Sequence, residues 1–411
     1  MKAWDVMIVG AGPAGSALAC RLRPHCRVLL LDRDAASASA LPRIGESLPG
    51  AARVLLQRIG AFDRFLADAH AERGATVSQW SSHSDDDEPI WFDHLRDPNG
   101  PGWHLDRTRF DASLREAAVA AGAELIENCG RLRVSRSADD WQIDLDGQLL
   151  EQHGLEPHAL EQHPLEQHAL EQHALEQHAL EQHAQTHRAP VLVDASGRSA
   201  TVARQLGLAR FAEDTLVCLY AYLQTNPDDE DHCTRLCVDR NGWWYSVRVP
   251  SGQRVLAFHL DSDDPELKAL RDPERLLAKA RRQPLLADAL SASIYAPAFE
   301  STQVHARPAG SAVLDLDAMA EIAPGFFAIG DAVLAFDPIA SQGIFHALAS
   351  AESAARAIEA QLADAPMFRE PYLAEMRAVH ARYREHLQAT YADVLRYRHE
   401  PFWAKRAAVM A

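Results

Sequence analysis

The chain has 411 residues, and its 58 acidic against 41 basic side chains leave a formal net charge of −17. That length predicts two or three subdomains, and 47% apolar with 24% charged residues is the balance of a soluble globular chain. With this acidic surplus nothing suggests a nucleic-acid footprint. No apolar run reaches the ~18 residues of a membrane span, and the six cysteines show no disulfide or zinc framework. A reduced, cytoplasmic chain without a signal peptide, metal or membrane contact is expected.

The first stretch, Val6 to Val9, is an apolar run that reads as a buried parallel strand. It enters Gly10-Ala11-Gly12-Pro13-Ala14-Gly15, and Ser16 to Leu22 reads as a helix. A strand, a Gly-x-Gly-x-x-Gly turn and a helix in this order suit a dinucleotide. Gly10 permits the tight turn, Gly12 lets the backbone approach a pyrophosphate, and Gly15 lets helix and strand pack closely. The helix N-terminus then offers free N–H groups to the phosphates. A second apolar run ends at Asp32-Arg33, where the ribose-binding acid of such a fold is expected.

The loop that follows carries Arg43, Glu46 and Ser47. These polar groups leave the nucleotide-binding unit and either face a ligand or cap a surface turn. A helix is expected from about Gly50 to Ile59. Residues 74–103 read as irregular, punctuated by Trp80, Trp91, Phe92 and Trp103. Asp111 reads as the N-cap of a helix over Ala112–Ala121. Strands are expected at 125–129, 131–135 and 141–145.

Residues 150–184 repeat a five-residue unit, Leu-Glu-Gln-His plus a small residue or proline. Five helical residues turn about 500°, so successive leucines never share a face, and in a strand an odd period flips the face at each copy. Neither form buries the leucines. An expanded surface hairpin is the expected reading, since the repeated histidines share no face on which to hold a metal.

Pro190 to Asp194 is another strand, running into Ala195-Ser196-Gly197-Arg198. Strands of a second sheet follow at 216–223, 235–238, 244–249 and 254–260, with helix over 273–291. A last buried strand ends at Gly330-Asp331. Asp337-Pro338-Ile339-Ala340-Ser341-Gln342-Gly343-Ile344 then opens a helix to about Leu362. Such a turn presents N–H groups to an anionic ring edge. Residues 370–411 read as helical.

Together the motifs at 10–15, 194–198 and 330–343 resemble the flavin monooxygenases of the hydroxybenzoate-hydroxylase fold, in which they surround FAD. The resemblance implies an α/β fold: a Rossmann-like FAD-binding domain (1–212 and 305–365, interrupted by the 150–184 insertion), a mixed-sheet substrate domain (213–304) and a C-terminal helical segment (366–411). It implies that Asp32 holds the adenosine ribose and that Arg107 and Asp331 serve the ribityl and phosphate region. Gln342, Gly343 and Ile344 would lie beside the flavin ring.

Ile44 to Pro49, Gly242 to Tyr245 and Pro401 to Trp403 are similar to the flavin-dependent tryptophan halogenase superfamily. Within it, Gly102 to Arg107 resembles the maturases of tryptophylquinone-containing oxidases, which hydroxylate a tryptophan in a partner polypeptide. The halogenases use a lysine some thirty residues past the Gly-Glu-Ser loop. Here the only lysines are Lys2, Lys268, Lys279 and Lys405.

The expected activity is therefore an FAD-dependent monooxygenase acting on a tryptophan in a protein or peptide. It would draw on oxygen and an external donor, either NAD(P)H or a flavin reductase. The rivals are a halogenase, a reductase and a flavin-binding assembly factor without chemistry. Glu46 is the candidate acid-base group, with His104 and His346 behind it.

Overall fold

The computed structural model describes residues 4–23, 25–33, 44–81, 83, 87–137, 139–145, 185–226, 228–293, 302–365 and 369–408. The expected Arg43 and the five-residue repeat lie outside these residues.

The apolar run Val6–Val9 is the central strand of a five-stranded parallel sheet. Val28–Leu31 and Glu124–Ile126 lie on one side of it, and Val191–Asp194 and Phe326–Ala328 on the other. Each of the two inner neighbours is buried along its whole length, as a sheet covered on both faces requires. Helices Pro13–Leu22 and Gly343–Leu362 pack against each other. Arg21 pins them with ion pairs to Glu352 at 3.1 Å and Glu359 at 2.8 Å. Gly15 has the role its position predicts, since a Cβ there would lie 1.9 Å from the Gly10 carbonyl oxygen.

The second sheet has seven strands, in the order His305–Pro308, Leu216–Gln224, Gln253–Asp261, Gly242–Val249, Thr234–Asp239, Ala75–Gln79 and Ile90–Asp93. It is antiparallel except where Thr234–Asp239 runs parallel to Ala75–Gln79. The sheet thus reaches beyond 213–304 at both ends, and two strands come from the stretch that reads as irregular. Gly74 and Pro89 flank those short strands, and Ile90, Trp91 and Phe92 lack apolar–polar alternation, so no strand signal stands out.

Alternation gives the long strands two faces. Leu219, Trp244, Leu256 and Phe258 pack on Leu276, Leu277, Leu286 and Leu290 of helices Pro273–Ala280 and Pro284–Ser293. Cys218, Trp243 and Ala257 lie on the opposite face, with Tyr391 and Trp403 of the C-terminal helices Glu370–Ala392 and Pro401–Ala408.

Two smaller features position the site. Trp103–His104 pairs with both Ser47–Leu48 and Ala71–Glu72, tying the 44–48 loop into a three-stranded sheet. The helix that follows is Arg107–Ala120, one turn earlier than expected. Its N-cap is Asp106, whose side chain accepts from Arg109 N at 3.0 Å. Asp111 is freed from capping and instead pairs with Arg107 at 3.2 Å.

Elsewhere, Asp140–Leu145 and Gln185–Ala189 form an antiparallel pair in which Leu145 faces Gln185. No described helix is long and apolar enough to cross a membrane.

Candidate functional site

A cavity of about 850 Å³ runs between the parallel sheet and the seven-stranded sheet. At one end it is lined by Gly10, Gly12, Pro13 and Ala14, and by Asp32 and Arg33 at the tip of the second strand. The helix Pro13–Leu22 has no side-chain cap and no acid in its first turn, so its N-terminal N–H groups and partial positive charge face the cavity uncompensated. Asp32 is oriented by Arg115, which donates to it at 2.5 Å and to the Ala11 carbonyl at 3.0 Å. Gly15 lies behind this arm, beneath the turn.

Asp194 does not line the cavity. It accepts hydrogen bonds from the backbone N–H groups of Ser196, Val202 and Ala203, and so shapes the turn that presents Ser196, Gly197 and Arg198. Asp331 lines the middle of the cavity. Burial raises its carboxyl pKa, against the opposing charges of Arg198 and Arg210. Gln342, Gly343 and Ile344 line the cavity at a second uncapped helix start, again without acids in the first turn.

A dinucleotide fits these residues on a steric test. A Cβ at Gly12, Gly197 or Gly343 would meet nothing within 4 Å, so all three glycines border open space. Two helix N-termini converge on that space, which is the arrangement that binds phosphate and anionic ring edges.

The other end of the cavity carries the acid-base candidate. Arg107 is partly buried, lines the cavity and holds the loop. Its Nη1 donates to the carbonyls of Ile44 at 2.9 Å and Gly45 at 3.1 Å, while Nε and Nη2 bind Asp111. Burial opposes its charge, but Asp111 and Glu46 outweigh that and keep the guanidinium ionised. Gly45 takes φ +107°, a value that L side chains rarely adopt, and so turns Glu46 inward.

Glu46 is 1% exposed. Its Oε1 accepts from the Tyr222 hydroxyl at 3.0 Å, and Oε2 has no partner among the described residues. Burial raises its carboxyl pKa, against the Tyr222 hydrogen bond and the Arg107 charge. Ser47 Oγ lies 3.3 Å from the Tyr245 hydroxyl. Burial and then the nearby Glu46 raise the pKa of that phenol as well.

Cys218, Trp243, Tyr245, His259, Arg307 and Asp337 also line the cavity; Trp243 and Tyr245 belong to the Gly242–Tyr245 motif and Asp337 to the 330–343 motif, but none of the six was expected as a site residue. The first four come from alternate positions of three adjacent strands. That pattern was visible in the sequence, but which face met a cavity was not. His259 stacks on Trp243 with ring centroids 3.6 Å apart, and burial pushes its pKa down to about 3, so the ring stays neutral. Trp243 Nε1 donates to the Tyr391 hydroxyl at 3.2 Å, and that hydroxyl donates to Asp337 Oδ2 at 2.7 Å. Burial and the charge of Asp214 push Asp337 up to about 6.

The two histidines expected as runners-up do not line the cavity. His104 lies in the small sheet and shares a hydrogen bond with Thr234 Oγ1 at 3.0 Å, and burial pushes its pKa down to about 3. His346 sits within the first turn of its helix but faces Phe336, with ring centroids 4.8 Å apart and a pKa pushed down to about 4.

Known proteins agree with this geometry. LodB of Marinomonas mediterranea, assigned as an FAD-dependent oxidoreductase, is 27% identical over 417 residues, covering 100% of this chain and 99% of its own length. A 1H-pyrrole-2-carbonyl-[peptidyl-carrier protein] brominase of Pseudoalteromonas luteoviolacea is 31% identical over 128 residues, covering 30% of this chain and 28% of its own.

Among solved structures, the chondrochloren halogenase CndH superposes with a TM-score of 0.74 at 22% identity, covering 99% of this chain and 86% of its own. The peptidyl tryptophan dihydroxylase QhpG superposes with a TM-score of 0.70 at 22% identity, covering 98% and 79%. These likenesses place the fold. The profile of the FAD binding domain family matches residues 3–380, so the chain belongs to that family and is an FAD-dependent oxidoreductase.

Proposed function

We propose that this flavoprotein hydroxylates the indole ring of a tryptophan within a partner polypeptide. The observation that carries the reading is the substrate end of the cavity. There a buried carboxylate, Glu46, lines the cavity together with Trp243, Tyr245 and His259, and none of the described lining residues is a lysine. Lys279 and Lys405 are engaged elsewhere, with Asp239 at 3.3 Å and Asp261 at 3.2 Å. Supporting this, QhpG acts on peptidyl tryptophan and the pyrrole brominase acts on a carrier-protein-bound group.

The net reaction takes the ring C–H, one O₂, two electrons and two protons to a ring C–OH and water. When bound, FAD supplies the activation of oxygen, recharged by NAD(P)H or a flavin reductase. The chain's own residues do the rest. The N–H groups opening helix Gly343–Leu362 hold an anionic ring edge beside Gln342. Trp243 and Tyr245 give the indole an aromatic wall. Glu46, poised by burial toward neutral pH, accepts the proton released as the ring regains aromaticity.

The test incubates FAD-loaded protein, reductant, oxygen and bromide with a candidate precursor of a quinone-containing oxidase, followed by peptide mass spectrometry. Enzyme-dependent gain of oxygen on a tryptophan is expected. A brominated ring, or oxygen gained only by free tryptophan, would sink the proposal. Repeated reduction and reoxidation with every partner unmodified would instead favour an assembly factor.

A further inference from the structure

Ile90–Asp93 is the terminal strand of the seven-stranded sheet, paired on one side only among the described residues. Edge strands usually protect themselves with charge. This one exposes three large apolar side chains in a row, Ile90 at 51%, Trp91 at 62% and Phe92 at 54%, with Leu95 at 66% just beyond. Exposed apolar surface of this kind marks a contact site.

The backbone of the strand is also open. His94 N donates to the Gly74 carbonyl, so bonded pairs fall at His94, Phe92 and Ile90. By alternation the N–H and C=O groups of Trp91 and Asp93 point away from the sheet.

The register connects this edge to the site. Ile90 faces Ser78, Ser78 faces Leu236, and Leu236 faces Tyr245, so all four lie in one row on one face. Tyr245 lines the cavity beside Ser47. Three strand spacings separate Ile90 from Tyr245, roughly 14 Å, and an added strand would stand roughly 19 Å away. About six extended residues of a docked chain cross that gap.

We infer that this edge captures the polypeptide substrate by strand addition, taking an extended apolar segment with basic flanks; the inference rests on the protein-substrate reading above. The flanks follow from charge. Residues 87–97 carry Asp87, Glu88, Asp93 and Asp97 against the single Arg96. Arg96 is already paired with Asp93 at 3.3 Å. A second copy of this chain would bring the same acids to the same edge, whereas a lysine-flanked strand would neutralise them. Main-chain hydrogen bonds to Trp91 and Asp93 would supply affinity, and Ile90 and Phe92 would select apolar side chains.

The probe is a fluorescein-labelled peptide of alternating threonine and valine around one tryptophan, with lysines at both ends. It is titrated by anisotropy into FAD-loaded protein. Trp91→Pro removes an outward N–H without touching the internal ladder, so FAD content stays unchanged.

Binding that weakens about tenfold or more in Trp91→Pro, and likewise for a peptide of the same charge with prolines in place of valines, is expected. Three results would overturn the inference: no binding, equal binding to the variant, or a wild-type dimer that Trp91→Pro turns into a monomer. Oxygen on the probe's tryptophan is read separately. Edge-dependent binding without oxygenation leaves the docking site standing and removes the hydroxylase reading. Undiminished oxygenation by Trp91→Pro does the reverse.

Discussion

Arg107 donates through Nη1 to the carbonyl of Gly45 at 3.1 Å, the residue directly before Glu46. One guanidinium thus holds both the acid-base loop and the start of its own helix, where it binds Asp111. Arg107→Ala would remove the ion pair to Asp111 and the donor to two carbonyls, a loss of roughly 1–3 kcal/mol. Arg107→Lys restores the charge without the planar fork and should fall between. Thermal melts and flavin-fluorescence titration would check both. An alanine variant with unchanged stability and FAD affinity would contradict the assignment.

Glu46→Gln should retain FAD and lose about 10²-fold or more in hydroxylation rate. The variant keeps an oxygen to accept from Tyr222. Burial raises the Glu46 pKa, so the folded chain holds that proton more tightly than the unfolded chain does. Stability is therefore lost as pH rises from the ordinary value through the raised one. The glutamine variant should gain on the native protein over that interval, read from melts at a series of pH values. A difference that shrinks with rising pH would reverse the sign and refute the argument.

Asp337 gives a second linkage with both ends defined. Its ordinary value is 3.8 and its folded value is about 6. Stability should fall as pH rises between those two values and then level off, by roughly 3 kcal/mol in all. Asp214, Tyr391 and Arg406 face the same group and shape the curve. Asp337→Asn should flatten this segment in urea denaturation of the FAD-loaded protein. An identical slope in the variant would assign it to other groups.

Two glycines in one turn should fail in different ways. A Cβ at Gly10, where φ is +108°, would lie 2.3 Å from the Ala195 carbonyl oxygen. Gly10→Ala should cost about 2 kcal/mol or more of fold stability. A Cβ at Gly12 meets nothing, so Gly12→Val should melt as the apoprotein does, within a few degrees, while FAD affinity falls at least about 10²-fold. Equal effects on folding and FAD affinity in the two variants would refute the division of roles.

Replacing residues 146–184 with a short turn should leave FAD content unchanged. Loss of soluble protein would show that the segment packs or binds.

How much was legible depended on whether a residue's role is local. Gly10, Gly12 and Asp32 line the cavity and Gly15 packs beneath them; they could be picked out because Gly-x-Gly-x-x-Gly with an acid after the next strand is a short-range pattern, and the Gln342–Gly343 turn is local in the same way. Asp106 was passed over for Asp111 because Asp111 directly precedes the apolar Ala112, whereas Arg107, Thr108 and Arg109 follow Asp106, and the i,i+4 pairing of Arg107 with Asp111 shows only in the fold. Trp243 and Tyr245 stood out as part of a motif without a role, and His259 looked like an ordinary strand residue. Their value lies in lining the same cavity as Glu46, 197 to 213 positions away in the chain, and no short-range pattern encodes that. The edge at Ile90 was hidden because burial is usually inferred from hydrophobicity, and here hydrophobic side chains face water.

Leu145 and Gln185 are cross-strand partners, so the chain departs and returns at a single rung of a ladder. The repeat unit between them is five residues, which is fifteen nucleotides of coding sequence. Slippage during replication can add or remove whole units without shifting the reading frame, and the rung at Leu145 and Gln185 is the same for any copy number. The hairpin thus separates the inheritance of the repeat from that of the enzyme, and strains are expected to differ in copy number while the cavity stays constant.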